Sequence, residues 1–234
     1  MQYKRILLKL SGEALAGENG SGFDEEKVRN VAKQIKELVD GGIEVGVVIG
    51  GGNFWRGRSC KAIDRTKADS IGMLATVMNA IFVSEVCRDY GLGTAVLTPF
   101  ECGSFTKLFS KDRANKYFKH NMVVFFAGGT GSPYFSTDTG AVLRAIEIEA
   151  DAILMAKAVD GVYDSDPKDN PDAKKYDEMN IQDIITGNLQ VIDMTASIMA
   201  RDNKMTMLIF GLEKENSIVN TVKGKFTGTK ITVG

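Results

Sequence analysis

Ile43-Glu44-Val45-Gly46-Val47-Val48-Ile49-Gly50-Gly51-Gly52-Asn53 places a mostly aliphatic run directly before three consecutive glycines. A strand without apolar–polar alternation is buried on both faces, as in a parallel sheet covered by helices. The glycines then turn the chain with no Cβ in the way, so backbone amides can approach an anion. Two other stretches repeat the plan. Arg5-Ile6-Leu7-Leu8-Lys9-Leu10 leads into Ser11-Gly12, and residues 122–127 lead into Gly128-Gly129-Thr130-Gly131-Ser132-Pro133. Each turn precedes a segment with helical character, whose N-terminus adds partial positive charge. One such turn is a weak signal. Three, with Lys9 ending the first strand, point to a ligand carrying several phosphates.

The alternation continues outward from these turns. Residues 24–40 read as a helix capped by Asp24 and stopped at Gly41-Gly42, with Val28, Val31, Ile35, Leu38 and Val39 on one face. Residues 67–90 read as a second helix ended by Gly91, with Ile71, Leu74, Met78, Ile81 and Val86 facing inward. Residues 94–97, 153–156 and 205–210 read as strands, and residues 136–150 as a helix. The β-α-β order predicts a three-layer α/β/α sandwich around a mainly parallel sheet. It is expected to be a single domain, residues 1–234, in which residues 1–150 and 151–234 each carry one ligand across the sheet's carboxyl edge. Residues 164–176, rich in Asp, Lys and Pro, read as a surface excursion.

Composition bounds the rest. Hydrophobic residues at 44% and charged residues at 25% are ordinary for a globular chain. A net charge of −1 gives no basic field for nucleic acid, so phosphate binding must rest on local cations. No signal peptide is read, and no apolar run is expected to reach membrane-spanning length. Cys60, Cys87 and Cys102 lack metal or disulfide spacing, which suits a reducing cytoplasm. His120 is the sole histidine, which excludes histidine triads and histidine-rich metal sites. The ten methionines, Met73, Met78, Met194 and Met199 among them, read as core filler. There is no Walker sequence, and no G-x-G-x-x-G follows a strand.

Lys9 is costly in a core, so its ammonium should emerge at the sheet edge beside the Ser11 and Gly12 amides. Arg56, one helical turn beyond the glycine triplet, can fork onto phosphate oxygens. Asp69 can accept from a ribose hydroxyl or serve a helix N-terminus. Asp138 can orient Lys9 or a metal, or cap a helix, and Asp193 leaves the same choice open. Tyr134, Phe135 and Tyr163 offer flat faces for a base or ribose. Asp160, Asp164 and Asp166 can hold Mg2+ directly or through water.

These residues resemble a known family. Residues 3–15 (YKRILLKLSGEAL), 46–53 (GVVIGGGN), 72–79 (GMLATVMN), 129–138, 147–151 (EIEAD), 159–163 with Asp166-Pro167, and Ala200-Arg201-Asp202 are similar to the bacterial uridylate kinases of the amino-acid-kinase superfamily. The resemblance runs nearly end to end. It implies a homohexameric cytoplasmic enzyme of pyrimidine nucleotide biosynthesis that passes the ATP γ-phosphoryl group to UMP with Mg2+. By matching position, Lys9, Leu10, Ser11 and Gly12 would cradle the ATP phosphates. Gly52 and Arg56 would face the transferring phosphate, and Lys157, Tyr163 and Asp166 would line the ATP site. Gly51, Asp69, Thr130, Gly131, Ser132, Pro133, Tyr134, Phe135, Ser136 and Thr137 would bind UMP. Lys9, Arg56, Asp138 and Asp193 would be the catalytic set, with no direct protein ligand assigned to the metal. The resemblance departs at Ala158, where relatives commonly carry lysine, with Lys157 displaced by one. Gly17-Glu18-Asn19-Gly20-Ser21-Gly22 matches the region linked to activation by GTP, and inhibition by UTP is also implied. The competing readings are a kinase for a small carboxylate or carbamate, and a nucleotide-binding storage or sensor protein of the same fold. The neutral, hydroxyl-rich loop at 130–137 weighs against a carboxylate acceptor.

Overall fold

A computed structural model describes residues 3–167, 169–187, 189 and 191–233. The first half supplies β1 (Arg5–Leu10), α1 (Gly12–Ala16), α2 (Glu25–Asp40), β2 (Glu44–Ile49), α3 (Arg65–Asp89), β3 (Thr94–Thr98), β4 (Lys107–Leu108), α4 (Lys111–Phe118), β5 (Val123–Phe126) and α5 (Thr137–Glu147). The second half adds β6 (Ala152–Lys157), β7 (Val162–Tyr163), β8 (Lys175–Tyr176), β9 (Glu178–Asn180), α6 (Ile181–Thr186), α7 (Met194–Asp202), β10 (Met207–Gly211), α8 (Ser217–Val222) and β11 (Thr229–Thr232). Among the described residues, nine strands form one sheet in the order β4-β3-β5-β2-β1-β6-β10-β11-β9. Its pairings are parallel except β10 with β11. The expected α/β/α sandwich with a mainly parallel sheet is therefore present.

Side-chain alternation along the strands builds two cores. Ile6, Leu8 and Leu10 of β1 join a cluster with α2, α3 and α8, while Leu7 joins α4, α5, α6 and α7 on the other face. The same period of two sends Ile153 and Met155 of β6 toward α5. Lys9 and Lys157 continue those rows at the carboxyl ends, so both ammonium groups emerge on the α5 side. From β1 the chain runs to β2 on one flank and later returns to β6 on the other. The reversal opens a crevice at those carboxyl ends, where α/β sheets bind ligands.

Three expectations are corrected. On α3, Ile71, Leu74 and Met78 are exposed, while Ala68, Ala75, Thr76, Val77, Asn79, Ala80 and Val83 are buried. The reason is proximity: a Cβ on Gly51 would lie 2.9 Å from the Gly72 oxygen and 3.0 Å from the Ala75 methyl, so small residues must face the turn. Met78 is accordingly exposed and not core filler; Met194, at the start of α7, is exposed too, whereas Met199 packs on the second core. Among the described residues α3 is also one helix long and apolar enough to cross a membrane, against the expectation that no run reaches that length. Its packing on the sheet and its buried Thr76 and Asn79 mark it as a core helix. The excursion at 164–176 leaves and rejoins through the antiparallel β7–β8 pair, with Lys168 outside the described residues.

Phe125 of β5 is fully buried in the first core. Phe125→Ala should destabilise the fold by about 3–5 kcal/mol through lost burial and the cavity left behind. Chemical denaturation checks this.

Candidate active site

The crevice is a cleft of about 1020 Å³ between the ends of β1, β2 and β6 and the residues that follow them. Its centre is a charge cluster. Lys9 Nζ lies 2.8 Å from Asp138 Oδ1, and Lys157 Nζ lies 3.5 Å from Asp138 Oδ2. Burial works to raise the Asp138 pKa, but the ammonium groups of Lys9 and Lys157 outweigh it and hold the carboxyl at about 2. Lys157 is lowered from its ordinary value, chiefly by burial and opposed by Asp138, with Lys9 lowering it further. Lys157 Nζ also donates to the Val191 carbonyl.

Asp138 is not the cap of α5. Ser136 is: its hydroxyl accepts from the Asp138 and Thr139 amides at 3.0 and 3.3 Å. Asp193 is the N-cap of α7, accepting from the Ala196 amide at 2.9 Å, and it also accepts from the hydroxyls of Ser136 and Thr139. One carboxylate thus ties the starts of α5 and α7 together and shapes the floor beside the lysines.

α3 holds the other wall. Asp69 accepts from both sides, from Arg65 Nε at 2.9 Å and from the Tyr134 amide at 2.8 Å. Thr76 accepts from the Gly128 amide at 2.8 Å. The N-cap of α3 is Asp64, and Asp69 lies five residues further on, past the first turn to which the dipole's effect is largely confined. Residues 69 and 76 are seven apart, two turns, and share a face.

The cleft brings together most of the expected residues. Lys9, Ser11, Gly12, Gly51, Gly52, Arg56, Asp69, Thr130, Ser132, Phe135, Ser136, Thr137, Asp138, Lys157, Tyr163, Asp166 and Asp193 line it. Leu10, Gly131, Pro133 and Tyr134 do not. The Leu10 side chain is fully buried in the first core, because alternation turns it away from Lys9. Tyr134, at φ 71°, lines a smaller neighbouring pocket with Arg58. Arg56 is extended at φ −118° and not one helical turn on from the glycines; it pairs with Glu13 at the mouth. Two amides expected to face phosphate are already engaged: Ser11 donates to the Ala156 carbonyl at 3.3 Å, and Gly128 to Thr76. Residues 17–22 lie beyond α1, outside the cleft lining.

Residues 4–211 match the amino acid kinase family. The chain belongs to that family. Among solved structures of its fold, UMP kinase from Bacillus anthracis matches at 38% identity and a TM-score of 0.94, covering 98% of this chain and 96% of its own. UMP kinase from Ureaplasma parvum matches at 37% identity and 0.92, over 99% and 100% of the two chains. Uridylate kinase from Archaeoglobus fulgidus is more distant, at 29% identity and 0.75, over 97% and 99%.

In this member of the amino acid kinase family, sequence reasoning missed several cleft residues. Arg65 was legible in principle, since its i,i+4 spacing to Asp69 on a helix is an ion-pair signal. Trp55, which donates to the Ala68 carbonyl at 2.8 Å, and Val191 carry no such signal, because their partners are fixed by tertiary packing. Tyr163 offers more than a flat face, since its phenol donates to Asp160 at 2.6 Å.

Asp138→Asn should separate the roles of the cluster. The depressed carboxyl adds stability that is complete above the unfolded value of about 3.9 and lost as pH falls through about 2. The amide removes that stability at neutral pH and leaves two ammonium groups facing each other, a loss of about 3–5 kcal/mol. It also removes the group that supports the charge on Lys157. The alkaline limb of kcat/KM should therefore move to lower pH, and an unmoved limb would contradict the assigned cluster.

Proposed function

We propose that this protein is a UMP kinase, transferring the γ-phosphoryl group of ATP reversibly to UMP. The observation that carries the reading is the Lys9–Asp138–Lys157 cluster set among glycine turns at the sheet's switch point. The names of the solved relatives supply the acceptor. The ATP side is taken as Lys9, Ser11, Gly12, Gly52, Arg56, Lys157, Tyr163 and Asp166. The UMP side is taken as Gly51, Asp69, Thr130, Ser132, Phe135, Ser136 and Thr137. Gly131, Pro133 and Tyr134 contribute by shaping the loop, and Tyr134 by the amide it gives to Asp69.

Phosphoryl transfer passes through a loose transition state with little covalent work, so positioning and charge neutralisation dominate. Lys9 supplies positive charge where the two phosphates meet, and Lys157 neutralises the nucleotide side. Asp138 touches both lysines and aims them, and it supports the charge on Lys157. Asp193 fixes the Ser136 hydroxyl and hence the start of α5. Mg2+ bound to the triphosphate would shield part of its charge, while Lys9 and Lys157 neutralise the rest. Among the described residues no group of three or more His, Cys, Asp or Glu is placed to hold a metal, and Asp138 and Asp193 are already engaged. The proposal includes no direct protein cage for the ion.

One domain spanning residues 1–234 is proposed, its halves joined through β1 and β6. Homohexamer assembly is supported by the exposed Ile71, Leu74 and Met78, whose i, i+3, i+7 spacing makes one apolar stripe. Three unpaired thiols suit a cytoplasmic setting. Activation by GTP through Gly17, Glu18, Asn19, Gly20, Ser21 and Gly22, and inhibition by UTP, complete the proposal.

An ADP-release assay with Mg·ATP tests it, with UMP beside CMP, glutamate, aspartate and carbamate. Turnover is expected with UMP, and ATP binding without UMP turnover would refute the kinase reading. Lys9→Ala should lower kcat on the order of 10²–10³-fold, the loss expected for one preorganised charge donor. Leu74→Glu should yield smaller assemblies by light scattering with an intact fold, since residue 74 is 51% exposed.

A further inference from the structure

Two buried carboxamides sit behind the glycine turns and have no part in the mechanism above. Asn53 and Asn79 are 2% and 0% exposed. Each Nδ2 donates to the other's Oδ1, at 3.1 Å from Asn53 and 2.7 Å from Asn79. The second N–H of each goes to a backbone carbonyl, Asn79 to Gly50 at 2.6 Å and Asn53 to Gly22 at 2.8 Å. A carbonyl can only accept, so both amides are fixed in orientation and every donor is used. The Gly22 amide returns a bond to the Asn53 carbonyl at 3.2 Å.

The pair joins four segments. Gly12 of the first turn packs so closely that a Cβ would collide with the Gly50 oxygen and Asn53 Oδ1. The second turn contains Gly50 and Asn53 themselves. Asn79 belongs to α3, three residues beyond Thr76, which holds the third turn. Gly22 belongs to the loop before α2. Phe23 extends this last connection, stacking on Phe82 of α3 at 4.0 Å and meeting Phe54 edge-on at 5.4 Å. A core that needed only filling would take apolar residues here, because a buried amide is unfavourable unless fully bonded. Two amides with all donors used set one direction for the Gly50 carbonyl.

We propose that the Asn53–Asn79 pair is a positioning element for phosphoryl transfer. It fixes the Gly50 peptide, and thereby the Gly51 and Gly52 amides relative to Gly12 and Lys9. It also makes that setting depend on where residues 20–23 sit. Neither side chain touches substrate; both act through the glycine turns. The proposal rests on the UMP kinase reading for its catalytic consequence, while the mechanical coupling stands apart from it.

Asn79→Leu keeps volume and removes the donors, and Asn53→Ala removes the other half of the pair. Per folded molecule, each should lose kcat on the order of 10²-fold, the scale of a small misplacement of reacting groups. KM for ATP and UMP should stay nearly unchanged. Amide hydrogen exchange should accelerate at residues 50–53 and also at residues 20–23, which Asn79 reaches only through Asn53 in the hydrogen-bond chain. Folded variants with wild-type kcat, or exchange rising only around position 79, would overturn the proposal. Native-state exchange on the unmutated protein guards against variants that fail to fold: residues 20–23 and 50–53 should open together, with one free energy. Independent opening overturns the coupling. A wild-type protein inert toward UMP removes the kinase reading, and the exchange arm still decides the coupling.

Discussion

Two ammonium groups, on Lys9 and Lys157, share the single carboxylate of Asp138 at the carboxyl edge of the sheet. Each partner is there for a reason that begins in the backbone. The lysines end adjacent parallel strands, β1 and β6, on the face that alternation assigns to α5. Asp138 stands in the first turn of α5, where Ser136 has already taken the capping role. Without the carboxylate, two desolvated cations would repel each other; without the cations, a mostly buried carboxylate would be strongly disfavoured. On the proposed reading, a polyphosphate entering the cleft would meet cations already assembled and aimed, which is what a reaction governed by charge and position requires.

The strands, the sheet and the lysines were legible because local rules decide them. Residues 5–10 were read to the residue, since an aliphatic run bounded by a glycine turn has one economical placement. Asp24 as cap of α2 followed from its position before Glu25 and Glu26, and its side chain does accept from the Lys27 amide. The failures lie where neighbours decide. Ile71, Leu74 and Met78 match the template of a buried helical stripe, yet α3 turns its small and polar side inward because residue 51 presses against Gly72 and Ala75. The Asn53–Asn79 pair spans 26 residues, and nothing in either local sequence announces the other. The amides of Ser11 and Gly128 looked free for phosphate in the sequence, and tertiary partners claim both.

α3 therefore does two jobs with two faces. Its inner face carries Asp69, Thr76 and Asn79 at positions 0, +7 and +10, each bonded to a different part of the cleft wall. Its outer face carries the exposed apolar stripe. The helix is bonded to the second and third glycine turns on one side, so in the proposed assembly a subunit seated on the stripe would bear on the geometry of the site.

The central claim is that the cluster at Lys9, Asp138 and Lys157 is where the phosphoryl group is transferred. A crystal structure with Mg2+, UMP and a non-hydrolysable ATP analogue tests it most directly. The account predicts the γ-phosphate and the UMP phosphate converging within hydrogen-bond reach of Lys9 Nζ, against the amides of residues 51 and 52, with Asp138 still bridging both lysines. Nucleotides seated elsewhere, or phosphates meeting away from Lys9, would contradict it.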